Sequence, residues 1–220
     1  MDKGIDSKAI FSFAVAAVLW FVMFSPWTSR HVNFWYMMTA SGVILTSLAF
    51  IFDGRSLIGS LTADAFGTRM KTIVLNVVLG LLLAAVLWCV FWVCDKVSQM
   101  MFTFARPGVD SIYDMKSGTD PVIIGWLLLL IIGPAEEIFW RGFLQNRLMN
   151  RFGGNVGFVV ATLCYTFIHV WSFNIMLILA AMVVGAIWGF IYRLFGSKSL
   201  PVLIISHAVW DAVAFVVFPF

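Results

Sequence analysis

Long apolar runs, separated by short polar segments, make up most of the chain. A helix that crosses a membrane needs about 20 mostly apolar residues, and seven runs come close to this length. They cover residues 9–26, 33–52, 72–94, 121–146, 155–171, 173–193 and 199–218. The pattern predicts an all-α fold, a polytopic membrane helix bundle of about seven transmembrane helices.

Two features of these runs shape the predicted bundle. Pro134, which follows Gly133 in the fourth run, has no backbone N–H to bond the carbonyl of Leu130, so we predict a kink there. Only Trp171 and Ser172 join the fifth and sixth runs. These two runs are therefore expected to form a tight antiparallel hairpin or to include a re-entrant piece.

The composition indicates that the solvent of this protein is lipid. The 220 residues are 62% hydrophobic and 11% charged, with a mean hydropathy of +0.99. About a quarter of the residues of a soluble domain are charged, so too few polar residues are present to cover a water-facing surface. No basic tract suggests a nucleic-acid partner. Cys89, Cys94 and Cys164 lie in apolar runs without a CxxC pair, which argues against a disulfide framework or a cysteine zinc site.

The lysine and arginine residues are divided unevenly between the two sides of the predicted bundle. With seven spans and a cytoplasmic N-terminus, one side holds Lys3, Lys8, Arg55, Arg69, Lys71, Arg141, Arg147, Arg151, Arg193 and Lys198. The other side holds Arg30, Lys96, Arg106 and Lys116. Because cytoplasmic loops carry an excess of lysine and arginine, we predict an integral protein of the cell membrane with Phe220 outside. The first run lacks a small-residue cleavage site and is predicted to be an uncleaved signal anchor.

Two further segments have a structural interpretation. Residues 95–120 are the longest polar segment and are predicted to form an extracytoplasmic loop without chemistry of its own. Ala181, Gly185 and Gly189 repeat at a spacing of four, which lets two helices approach closely. This stripe predicts close packing within the chain, and a homodimer interface is the alternative.

Ionisable residues lie within three of the predicted spans. A charged side chain inside a membrane is costly and usually faces a protein interior or a water-filled cavity. The residues concerned are Glu136, Glu137, Arg141, His169, His207 and Asp211. Their concentration on three helices predicts a functional site inside the bilayer.

Spacing assigns these residues different roles. Glu137 and Arg141 are four residues apart, with the acid first, which favours an ion pair. Glu136 points about 100° away around the helix and is left free to act. Tyr165 and His169 share one helix face, and so do His207 and Asp211.

Two histidines and a carboxylate suit two kinds of hydrolytic chemistry. They can act as acid and base on water, or Glu136, His169 and His207 can ligate a catalytic zinc ion. An HExxH helix is absent from the sequence. Counted along the helices, the three residues lie about 14–22 Å from the predicted cytoplasmic surface. We therefore expect them to share one layer that opens toward the cytoplasm.

Three motifs in the last four runs resemble the signature of the CPBP family, the CAAX protease and bacteriocin-processing (Abi) family. They are Glu136-Glu137-x-x-x-Arg141, Tyr165-x-x-x-His169 and His207-x-x-x-Asp211. The resemblance covers residues 121–217. It predicts a catalytic membrane core over 121–220, preceded by transmembrane helices and a loop over 1–120.

The resemblance implies an intramembrane endopeptidase similar to the type II CAAX prenyl proteases. By the family's pattern, Glu136 and His169 activate water, and His207 and Asp211 stabilise the oxyanion. The family is described both as metallo- and as glutamic proteases, so one zinc ion stays an alternative. Asp211 stands where the prenyl proteases have asparagine. An ionised aspartate only accepts hydrogen bonds, so Asp211 is protonated, orients His207 or helps bind a metal.

Our hypothesis is hydrolysis of a hydrophobic or lipidated peptide by water that Glu136 and His169 activate. Tyr165, Glu137 and Arg141 would support this site. Two alternatives use the same residues differently. One is a non-catalytic bacteriocin-immunity or partner-binding membrane protein. The other is a transporter, which the absence of inverted repeats disfavours.

Overall fold

The computed structural model describes residues 6–64 and 67–220, and their regular structure is entirely helical. The prediction of an all-α membrane bundle is confirmed. Four helices form the N-terminal half: α1 (Ser7–Phe24), α2 (Phe34–Leu61), α3 (Arg69–Met101) and the short α4 (Ala105–Asp114). The side chains of Asp6 and Asn33 cap α1 and α2 by accepting hydrogen bonds from backbone N–H groups of the first turn. In α2 the backbone leaves helical geometry at Asp53 (φ −139°), directly after the end predicted for the second run.

Four helical segments form the C-terminal half. They are α5 (Pro121–Phe152), α6 (Gly154–Ser172), α7 (Ile175–Phe195) and α8 (Leu200–Ala212). The last turn of α6, Ile168–Ser172, is a 3-10 helix, and α8 continues as a π-helix over Val213–Val217.

The described residues contain six continuous helical stretches that are long and apolar enough to cross a membrane. The last stretch, Ile175–Val217, has 43 residues and contains the sixth and seventh predicted runs. It folds back at Gly196, whose φ of 66° is readily adopted only by glycine. The rings of Trp188 and His207 stack 4.1 Å apart, whereas a straight helix would separate them by about 28 Å. α7 and α8 are therefore antiparallel neighbours.

Pro134 is accommodated within a continuous helix. It lies in the α-helical stretch Gly133–Glu137, which is flanked by π-helical stretches over Leu128–Ile132 and Ile138–Gln145. Wider π-helical turns are common where a helix carries a functional site. The predicted kink thus takes the form of two changes in helical winding, and the helix runs on to Phe152.

The contact of α5 with α8 is a direct backbone contact. A Cβ atom on Gly133 would lie 2.6 Å from the Cα atom of Ala208, so no side chain fits at this position. Glycine therefore sets the distance between the helix that carries Glu136 and the helix that carries His207.

α6 and α7 form the predicted hairpin, which turns at Phe173 (φ 51°). Ala181, Gly185 and Gly189 are buried in it. A Cβ atom on Gly185 would lie 2.9 Å from Cδ1 of Tyr165, and one on Gly189 would lie 3.1 Å from Cε2 of Phe158. Gly185 and Gly189 thus pack closely against α6 of the same chain, and a homodimer through the stripe stays a prediction.

The polar segment 95–120 packs against the helices. The indole of Trp35 donates to the carbonyl oxygen of Met115 at 3.0 Å. The hydroxyl of Tyr113 donates to the carbonyl oxygen of Ala214 at 3.0 Å. Asp95, which we placed in this loop, lies inside α3 and is buried. The segment is thus part of the bundle.

At the opposite end, Arg147 joins three helices. Its guanidinium donates to Asp53 at 2.5–2.6 Å and to Asp6 at 2.7–3.0 Å. Burial raises the pKa of Asp6, but the hydrogen bonds and the charge of Arg147, with the backbone N–H of Ala9, leave it below 3.8.

We predict that Gly133→Ala destabilises the protein by about 1–3 kcal/mol, because the added methyl group meets backbone atoms that cannot move aside. Thermal unfolding in detergent measures the effect. Gly125→Ala on the same helix is the matched control, since its Cβ would lie an ordinary 3.8 Å from Val216. Equal midpoints for the two variants would contradict the prediction.

We also predict that Arg147→Gln lowers stability by about 1 kcal/mol at neutral pH, since the ion pairs are partly exposed. The folded-state pKa of Asp6 is depressed, so its stabilisation is present above the unfolded value and is lost as the pH falls through the folded value. The difference in melting temperature between wild type and variant should therefore shrink below about pH 4. Arg55→Gln, at an exposed position, should show no such pH-dependent difference.

Candidate active site

Three helices bring the predicted site residues together. Glu136, Tyr165, His169, His207 and Asp211 are buried and line one cavity of about 360 Å³. Glu137 and Arg141 are also buried, but they lie behind the cavity wall. The predicted ionisable residues thus lie close together, and their roles in chemistry stay predictions.

Glu137 connects two pairs that the sequence had suggested separately. Nη1 of Arg141 donates to Oε1 of Glu137 at 2.7 Å, and Nδ1 of His207 lies 2.7 Å from the same oxygen. Nε2 of His207 lies 3.3 Å from Oδ2 of Asp211. His207 is therefore held between two carboxylates. The contact with Glu137 was not predicted, because 70 residues separate the partners.

Aromatic rings enclose these charges. The guanidinium carbon of Arg141 lies 4.6 Å from the ring centre of Tyr165 and 5.4 Å from that of Trp188. Trp188 also stacks on His207 at 4.1 Å and donates its indole N–H to Ser206 at 3.1 Å. Such contacts of cations with rings stabilise charge away from water.

Glu136 is oriented by the phenol of Tyr165, whose hydroxyl donates to Oε2 at 3.0 Å. The spacing of four predicted that Tyr165 shares a helix face with His169, but it gave no sign of the contact with Glu136. Tyr165 supplies a second contact through its carbonyl oxygen, which lies 2.8 Å from Nδ1 of His169. One residue of α6 thus holds both groups predicted to activate water.

The tautomer of His169 follows from its partners. The indole of Trp20 donates toward Nε2 of His169 at 3.4 Å. Because indole is only a donor and a carbonyl is only an acceptor, Nε2 carries the lone pair and Nδ1 carries the hydrogen. Trp20 lies on α1, and sequence reasoning missed it, since one of 10 tryptophans in apolar runs gives no signal.

The N-terminal half also contributes to the cavity wall. Asp95 of α3 faces the cavity, together with Trp35 of α2 and Tyr113 of α4. The lining therefore includes three carboxylates, those of Asp95, Glu136 and Asp211, and none of the described residues that line it is a lysine or an arginine. Sequence reasoning had assigned no role to Asp95.

A zinc ion does not fit this arrangement directly. Both nitrogens of His207 face carboxylates, and Nε2 of His169 accepts from Trp20. Within residues 6–64 and 67–220, no three histidine, cysteine, aspartate or glutamate side chains are grouped as a metal site requires. Ligation by Glu136, His169 and His207 stays a prediction.

The fold and the site define a polytopic membrane protein with a buried carboxylate–histidine cluster facing an apolar cavity. Residues 118–213 match the family described as type II CAAX prenyl endopeptidase Rce1-like. This segment contains all three motifs, so the match confirms the resemblance of this part of the chain to the CAAX proteases. No curated protein and no solved structure matches the chain.

We predict that Trp20→Phe lowers the rate of hydrolysis about two- to tenfold, the equivalent of one lost hydrogen bond. The phenyl ring keeps the apolar packing and removes only the N–H donor, so the effect should fall on kcat. Trp88→Phe is the matched control, because it also removes an indole hydrogen bond, in this case one of 3.1 Å to the carbonyl oxygen of Phe218.

A spectroscopic measurement separates this role from general packing. The chain has three histidines, so the ring nitrogens of His169 can be assigned in ¹⁵N spectra by single substitutions. The ¹⁵N resonance of Nε2 of His169 should shift in Trp20→Phe, while the ring resonances of His207 stay unchanged. Equal displacement of both histidines would point to a general loss of packing and contradict the prediction.

Proposed function

We propose that the protein is an intramembrane endopeptidase that cleaves hydrophobic or lipidated peptides with water activated by Glu136 and His169. The observation that carries the proposal is the cavity, where five of the predicted site residues meet inside an apolar bundle. The family match supports the general class of CAAX-type endopeptidase. The catalytic roles and the substrate are our proposal.

In the proposed reaction, Glu136 is the general base. It takes a proton from a water molecule beside the imidazole of His169, whose ring Tyr165 and Trp20 hold in place, and the water oxygen bonds to the scissile carbonyl carbon. The carbonyl oxygen becomes an oxyanion. When the C–N bond breaks, Glu136 passes its proton to the leaving amine, so that proton and charge balance. A base placed in this way contributes about 10²–10⁴ in rate.

His207 is the proposed oxyanion donor. Its Nδ1 faces Glu137 behind the cavity wall, which leaves Nε2 on the side of the cavity with Asp211. Because the 3.3 Å contact with Asp211 is long, the N–H at Nε2 can donate to the oxyanion. Such a donor contributes about 10²–10³ in rate. Asp211 then acts by orienting His207, which explains how an aspartate serves at this position.

Glu137 and Arg141 have a supporting role in this proposal. The guanidinium of Arg141 donates to the carboxylate of Glu137, which in turn fixes Nδ1 of His207. Removal of one partner would leave an unpaired charge in a water-free interior, which costs several kcal/mol.

We expect Glu136→Gln to abolish proteolysis, by a factor of about 10² or more, while the protein still inserts and folds. Wild type and variant are expressed at equal membrane levels in a host that lacks the gene, and new peptide termini are compared by mass spectrometry. Asp114→Asn, at an exposed carboxylate, is the control and should behave as wild type.

Termini that appear only with the wild type and the control would support the protease and identify the substrate. If the purified variant binds the same peptides and the wild type cleaves none of them, the partner-binding alternative replaces the proposal. Ion or solute flux through proteoliposomes that depends on Glu136 would favour the transporter.

A further inference from the structure

The two ends of the bundle differ in charge. We define the basic end by Lys8, Arg55, Arg69, Lys71, Arg147, Arg151, Arg193 and Lys198. At this end Arg147 binds both Asp6 and Asp53, and Arg193 donates to Asn155 at 3.1 Å. We define the loop end by residues 95–120, which carry Lys96, Arg106 and Lys116, and by the turn with Arg30.

The catalytic cavity lies entirely in the half of the bundle next to the loop end. Each helix contributes only the part that approaches this end, although the helices alternate in direction. α1 contributes its last residue, Phe24, and α3 contributes residues from Phe91 to Ser98. α7 contributes residues from Met176 to Val184, and α8 contributes from His207 onward. None of the described residues in 39–64, 67–90, 137–164 or 185–206 lines the cavity.

Segment 95–120 forms part of the cavity rim. Val109, Ile112, Tyr113 and Met115 line the cavity from this segment. Their positions are fixed by hydrogen bonds such as the one from Trp35 to Met115 at 3.0 Å. An opening toward this end is therefore bordered by the segment that was predicted to be a loop without chemistry of its own.

On the side of the basic end, packed side chains close the cavity. Phe139, Phe143 and Trp188 are fully buried there. A Cβ atom on Gly142 would lie 2.8 Å from Leu57 and 3.0 Å from Leu200, so α2, α5 and α8 are tightly packed against each other at this level. Interiors packed in this way have few voids larger than a water molecule.

From this geometry we infer that the catalytic cavity opens to the extracytoplasmic side of the membrane. The basic end faces the cytoplasm by the excess of lysine and arginine, and the cavity faces the other end. This replaces our expectation of a cytoplasmic opening. That expectation rested on depth alone, and a site in the middle of a bilayer is about equally far from both surfaces.

The inference specifies the substrate of the proposed function, on which it rests. The substrate is an apolar peptide segment presented at the extracytoplasmic face of the membrane. A lipidated tail that stays in the cytoplasm would have to pass the packed layer at Gly142 to reach Glu136. Water for hydrolysis would enter from the same side as the peptide.

Cysteine accessibility tests the side of the opening without any turnover. Ser117 and Ser197 are exposed serines at the loop end and the basic end, so Ser117→Cys and Ser197→Cys form a matched pair in a background without Cys89, Cys94 and Cys164. A third protein keeps only Cys94, which lines the cavity. A sulfonated, membrane-impermeant maleimide is added to intact cells and to inverted vesicles.

We expect Ser117→Cys and Cys94 to react in intact cells, and Ser197→Cys to react only in inverted vesicles. The reverse pattern for the two serine positions would overturn the inference, and so would a Cys94 that reacts only in inverted vesicles. Each variant is also made with Glu136→Gln, which should leave the labelling unchanged.

A second arm uses proteoliposomes in which the labelled cysteines report the orientation. An apolar reporter peptide is added to the outside of vesicles of either orientation. Cleavage only where the loop end faces the peptide supports the inference, and cleavage only where the basic end faces it overturns the inference. The expected labelling without cleavage in either orientation would leave the opening as inferred and would count against the proposed protease.

Discussion

The carboxylate of Glu137, shared by Arg141 and His207, is the interaction on which the site depends. A buried charge in an apolar interior is tolerable only when it is paired and hydrogen-bonded, and here one oxygen lies 2.7 Å from both partners. The pairing fixes the register of α5 against α8, because a shift of either helix by one residue would separate the charges. It also requires the helices to touch, and Gly133 allows this by leaving no side chain between its backbone and that of Ala208. Steric and electrostatic constraints therefore specify the same arrangement. The direction of Glu136 follows from this arrangement. Neighbouring residues of a helix point about 100° apart, so when Glu137 points toward His207, Glu136 points into the cavity.

The N-terminal helices complete the site that the motif-bearing helices begin. The family match starts at residue 118, close to the boundary we predicted at 120. The physical unit is larger, because Trp20 contacts His169 and because Trp35, Asp95 and Tyr113 line the cavity. Each of these residues lies near the loop end of its helix, at the level of the cavity. A division of the chain by sequence similarity therefore describes where the motifs are, while the cavity is shared by both halves.

The sequence was most informative where a rule concerns neighbours along one helix. Residues four apart on one face include Glu137 with Arg141 and His207 with Asp211, and both pairs are in contact. The apolar runs likewise identified the helices, since length and hydropathy are local properties. Contacts between helices were not accessible, because no sequence spacing encodes them: Glu137 with His207, Tyr165 with Glu136, and Trp20 with His169 are separated by 29 to 149 residues. The stripe of Ala181, Gly185 and Gly189 shows the same limit, since spacing indicates a close contact and does not name the partner.

The depth of a site in a bilayer and the side from which it opens are separate quantities. Depth follows from a count of residues along a helix, and both surfaces are about equally far from the centre of the membrane. The side of an opening depends on which half of each helix is packed tightly. In this chain the fully buried aromatic residues Phe139, Phe143 and Trp188 and the glycine contact at Gly142 lie beyond Glu137 in the direction of the basic end. The half toward segment 95–120 keeps a cavity of about 360 Å³. The same packing that shields the pair of Glu137 and Arg141 from water therefore directs access to Glu136 and His169 toward the loop end.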